Sequence, residues 1–148
     1  MFGSEGRVAV VATASRGFAR EIASLGEIFD FLGEQLSDLP GNERLLIQIN
    51  LVVEELFTNF VRHNVGGGDH IIINLDRVSD RLDLELVDDG VEDFDPRGVA
   101  DPHVEAGIGD RKAGGLGIHL VQSMVDELSY NYEPETRTMR VSVSKVLE

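Results

Sequence analysis

The hydrophobic period of this chain changes from helical to two-residue across Gly66-Gly67-Gly68, so the fold must combine helices with a sheet. Upstream of the glycines, from about Glu43 to Asn64, apolar residues recur at steps of three and four. The spacing predicts a long helix, capped by Gly41 or Asn42 and closed by the glycine run. Downstream, His70–Leu75 and Arg81–Val87 read as strands joined by a turn at Ser79-Asp80, an antiparallel pair. Leu82, Leu84 and Leu86 point inward and Asp83 and Glu85 outward.

The rest of the chain extends this pattern. Arg7–Thr13 is a short β-rich run. Ile22, Leu25, Ile28, Phe29, Leu32 and Leu36 predict a helix from about Ala19 to Leu36, broken at Asp38-Leu39-Pro40-Gly41-Asn42. Residues 88–115 are interrupted by Gly and Pro and show no period, as a lid, a binding segment or a disordered stretch would. A helix is expected over about Leu116–Asp126, then strands over Leu128–Glu133 and Thr138–Val146. This order predicts an α+β sandwich, one mixed and mainly antiparallel sheet with helices on one face. A length of 148 residues makes it a single domain, 1–148.

Composition narrows the function. Thirteen Lys+Arg against 27 Asp+Glu leave a net charge of −14. That opposes general nucleic-acid binding, which needs cations to replace phosphate counterions, and docking on an anionic membrane. With no cysteine, disulfides, thiolate nucleophiles and Cys-ligated zinc are excluded. The start, MFGSEGR, lacks a signal-peptide pattern, and no apolar run is long enough to span a bilayer. A cytoplasmic location is the expectation. His63, His70, His103 and His119 show no metal-binding spacing.

Three clusters carry chemistry. On the long helix, with Glu55 as the zero of a wheel at about 100° per residue, the apolar residues fill an arc from roughly 60° to 240°. Asn59 falls near about 40°, so Glu55 and Asn59 stand one turn apart at the border of the buried face. A carboxylate and an amide oxygen there suit a bound cation, or simply edge an amphipathic helix. The second cluster, Val87-Asp88-Asp89-Gly90-Val91-Glu92-Asp93-Phe94-Asp95-Pro96, begins at a strand end. It fits a cation, a ligand amine or an ordinary turn. The third is Arg111-Lys112-Ala113-Gly114-Gly115-Leu116-Gly117. A Gly-rich loop opening a helix offers free N–H groups to a phosphate, and equally makes a flexible hinge. It is not a Walker A sequence.

In this order and spacing, the chain resembles the gyrase B and histidine-kinase superfamily of ATP-binding domains, the Bergerat fold. Glu55 and Asn59 match its N box, Asp88-x-Gly90 its first glycine box and Gly114-Gly115-Leu116-Gly117 its second. Within it, EELFTNFVRHN, LVDDGVEDFDP and GGLGIHLVQSMVDELSY are similar to the small bacterial anti-sigma-factor serine/threonine kinases. Glu92 stands where larger relatives carry a second glycine, followed by Asp93-Phe94-Asp95-Pro96, and the small kinases commonly have such a Phe-Asp ending.

The resemblance implies ATP and Mg²⁺ as ligands. Asn59 would give its amide oxygen to Mg²⁺, and Asp88 would accept from the adenine amine. Gly90 would turn the strand end under the base, and Gly114, Gly115, Leu116 and Gly117 would meet the phosphates. Lys112 and His63 are further candidates near the nucleotide, and a nucleotide lid is expected at about 93–113. Glu55 would be the general base, acting on a serine of an anti-anti-sigma protein; a sigma factor would be the second partner, and a homodimer is compatible with the family. The alternative implied is an ATP/ADP-dependent switch that sequesters a partner without phosphoryl transfer.

Overall fold

The computed structural model describes residues 10–39, 41–64, 66–78, 80–93 and 116–147. Strand β1 (Val10–Ala19) leads through a 3-10 turn (Ile22–Ser24) into α1 (Leu25–Leu36) and then α2 (Asn42–His63). Next come β2 (His70–Val78), β3 (Arg81–Asp89), α3 (Leu116–Met124), β4 (Glu127–Glu133) and β5 (Thr138–Val146). The strands form a five-stranded sheet in the order β1-β2-β3-β5-β4. The pairings among them are all antiparallel, so the expected α+β sandwich stands with no parallel pair in its described sheet.

The strands alternate because one face is covered and the other is wet. Ile71, Ile73 and Leu75 of β2, Leu82, Leu84 and Leu86 of β3, and Met139, Val141 and Val143 of β5 are buried against the helices. They share the core with Ile28, Phe31, Leu32 and Leu36 of α1 and Ile49, Val52, Val53, Leu56, Phe57 and Phe60 of α2. Phe18 of β1 meets Phe31 edge-to-face at 5.6 Å between ring centroids. The opposite face is polar: Ser15 donates to Asn74, Asn74 to Glu85, and Ser144 to Asp83.

The first strand, the first helix and the third helix differ in their bounds from the sequence reading. The expected strand Arg7–Thr13 is replaced by β1 over Val10–Ala19, paired with β2 down to Ala19 and His70; residues 7–9 lie outside the described residues. Consequently the first helix does not start near Ala19. Ser15-Arg16-Gly17 carries little strand signal, because β1 is an edge strand among the described strands and is held there by backbone pairing with β2. Helix α3 stops at Met124 rather than near Asp126, because the Asp126 N–H is taken by the Ser144 carbonyl at 2.8 Å, at the entry to β4.

Candidate functional site

Two elements aim side chains at one end of the sheet. In β3 the alternation that buries Leu82, Leu84 and Leu86 continues to Asp88, which puts a carboxylate on the helix-facing side. Asp88 is 0% exposed. A buried carboxylate requires partners, and among the described residues it has two: Asn64 Nδ2, just past the end of α2, donates to Oδ2 at 2.6 Å, and the Arg20 guanidinium pairs with Oδ1. Neither partner was legible from the motifs.

The floor beside Asp88 is backbone. Gly90 adopts φ +75°, a left-handed turn open to glycine at little cost. Its carbonyl accepts from the Gly67 N–H at 2.9 Å, and Gly66 bridges Val91. A Cβ on Gly66 would lie 2.8 Å from the Gly90 oxygen. The glycine run, read from sequence only as a helix stop, is therefore also the close neighbour of the first glycine box. Tyr132 fixes the same corner by donating to the Val91 carbonyl at 2.7 Å.

Along α2, Glu55 and Asn59 lie one turn apart as the wheel predicts, and His63 one turn further. Asn59 does not border water, however; it is 4% exposed, because α3 packs along that flank of α2. Its Oδ1 is buried and has no hydrogen-bond partner among the described residues. An unsatisfied amide oxygen of this kind suits a hard divalent cation, which takes oxygen ligands. Helix α3 begins at Leu116, and Gly117 is its second residue. A Cβ on Gly117 would overlap the Glu55 carboxylate, so the glycine lets the acid lie against the first turn of α3. Lys112, Gly114 and Gly115 lie outside the described residues, as does nearly all of the expected lid at about 93–113.

The Glu55 pKa is raised, first by burial and then by the neighbouring Glu54 charge, with Arg62 pulling the other way. For a carboxylate whose folded pKa lies above its unfolded one, stability falls as pH rises through the interval between the two. Glu55→Gln is therefore expected to melt higher than the wild type at neutral pH. The gain should vanish as the pH drops below the ordinary glutamate range. Melting curves of both proteins across pH check this, and a gain that persists at acid pH would contradict it.

The profile of the histidine kinase-like ATPase domains matches residues 18–143. The chain belongs to this family. No curated protein shows significant similarity to it. The match runs from the inner residue of β1 through the last strand and so takes in Glu55, Asn59, Asp88, Gly90 and the α3 start. Membership in the histidine kinase-like ATPase domains supports ATP binding and a use of ATP by this chain, and the five-stranded antiparallel sheet with its helices is consistent with that fold. Among the described residues no helix is long and apolar enough to cross a membrane.

Asp88 is the candidate reader of the base. As a carboxylate it only accepts hydrogen bonds, and adenine presents an amine where guanine presents a carbonyl oxygen. Two facing acceptors leave buried groups unpaired, at about 1–3 kcal/mol. ATP is expected to bind about 5- to 150-fold more tightly than GTP. Calorimetry with both nucleotides decides it; equal affinities would show that Asp88 does not read the base.

Proposed function

We propose that the chain is an ATP-dependent serine/threonine protein kinase that also acts as an anti-sigma factor, phosphorylating an anti-anti-sigma partner. The observation that carries the reading is the pairing of Glu55 and Asn59 on one flank of α2. A carboxylate with a raised pKa rests against the first turn of α3, one helical turn from a buried amide oxygen that lacks a partner among the described residues. The resemblance to the small anti-sigma-factor kinases supplies the substrate class. The net charge of −14 is compatible with a basic sigma surface.

In this reading Asp88 accepts from the adenine amine and Gly90 turns the strand end under the ring. Gly114, Gly115, Leu116 and Gly117 present N–H groups to the phosphates, where a helix start favours negative charge. Asn59 is the residue to hold Mg²⁺, which when bound offsets phosphate charge. Lys112 and His63 are further candidates to meet the nucleotide. Glu55 orients the partner's serine hydroxyl and receives its proton. The serine oxygen bonds to the γ-phosphorus, the bond from that phosphorus to the bridging oxygen breaks, and ADP leaves. Positioning and charge stabilisation do most of the work in such a transfer.

The test is to incubate the protein with Mg-ATP and candidate partner proteins and look for phosphoserine by mass spectrometry. Phosphate on a partner serine supports the kinase. Tight nucleotide-dependent partner binding with no phosphate transferred would replace it with the ATP/ADP switch.

A further inference from the structure

We propose that Arg20 is a residue of the nucleotide pocket, a cationic plug on the base-reading carboxylate that an adenine must displace. The proposal rests on the assignment of Asp88 to the base. Both oxygens of Asp88 are engaged, one by Arg20 and one by Asn64, and the residue has no exposed surface. The carboxylate has lone pairs to spare, but with no exposed surface it admits a ligand amine when a group covering it withdraws.

Arg20 is the partner able to withdraw. Asn64 follows directly on α2, and its backbone N–H is bound to the Phe60 carbonyl at 3.2 Å. Arg20 lies on the connection between β1 and α1, at the end of a long flexible stem, and its side chain is 16% exposed. The guanidinium is seated on backbone: Nε donates to the Gly68 carbonyl at 2.9 Å. A Cβ on Gly67 would overlap Cζ and Nη2. Gly67 and Gly68 thus form the cradle that admits it.

The seat is an imperfect one. Arg20 Nη1 is buried and has no hydrogen-bond partner among the described residues. A buried donor without an acceptor costs free energy that hydration would return. Swinging out to solvent satisfies that donor, while the flat N–H-bearing edge of adenine takes over the acceptor at Asp88. The guanidinium is in this sense a surrogate for the base: planar, and donating N–H to the same carboxylate. Asp88 loses its cation in the exchange, which opposes binding. Apparent affinity is lowered by the fraction of time the pocket stands open; a pocket open about one-tenth of the time loses about tenfold.

Adenosine is the discriminating probe, since it carries no phosphate whose attraction to Arg20 would confuse the result. Arg20→Ala is expected to bind adenosine and ATP about tenfold more tightly than the wild type, and to melt lower without nucleotide. Should that variant not fold, the wild type answers alone by NMR. The Arg20 Nε–H signal should be protected without ligand and lose that protection when adenosine saturates the protein. A folded Arg20→Ala with unchanged or weaker adenosine affinity would overturn the plug while leaving nucleotide binding intact. So would an Arg20 signal that stays protected in the adenosine complex. A wild type that binds neither adenosine nor ATP would overturn the base assignment itself, and this proposal with it.

Discussion

Glu55→Gln is expected to slow phosphoryl transfer to the partner by roughly 10²–10⁴, the usual contribution of a positioned base. ATP affinity should stay within a few-fold, because Asp88 is the candidate base reader and Asn59 the candidate metal ligand. The amide keeps the size of the acid and its place against Gly117 but can take up no proton. The wild-type rate should also fall toward acid pH, starting above the range of an ordinary glutamate, because Glu55 must be ionised to act and its pKa is raised by burial and by Glu54. Single-turnover transfer measured over pH for both proteins tests this. A Glu55→Gln protein as fast as the wild type would remove Glu55 from the chemistry and leave the kinase reading standing. Asn59→Ala supplies the contrast, since losing the buried amide oxygen should weaken Mg-ATP binding itself.

Phe57→Ala is expected to cost about 3–5 kcal/mol of stability. The ring is 0% exposed in the middle of α2, within the core shared with the sheet. Its removal costs both the transfer free energy and the cavity left behind. Against a total stability of roughly 5–15 kcal/mol that is a large fraction. The melting temperature should drop by about 10 °C, and urea unfolding should shift to match. Ile47→Ala on the same helix is the control: Ile47 is 62% exposed and its truncation should change stability by less than about 0.5 kcal/mol. Similar losses at the two positions would contradict the assigned packing of α2.

Much of the site was legible because periodicity fixes direction within an element. The alternation Leu82, Leu84, Leu86 determines that Asp88 faces the helices, and the helical repeat determines that Glu55 and Asn59 share a flank. The hairpin of β2 and β3 and the closing strands followed from the same rule together with turn chemistry. What periodicity does not carry is docking between elements distant in sequence. The wheel left Asn59 at the water's edge; the packing of α3 on α2 buried it. The glycine run reads locally as a helix stop, and only the bridge from Gly66 to Val91 places it beside the strand end. The extent of β1 depended on backbone pairing with β2 rather than on its own side chains. Arg20 and Asp88 stand 68 residues apart and no pattern links them. Their contact exists because β1 pairs with β2 as far as Ala19, which delivers the next residue to the end of the sheet where Asp88 is buried and in need of a partner.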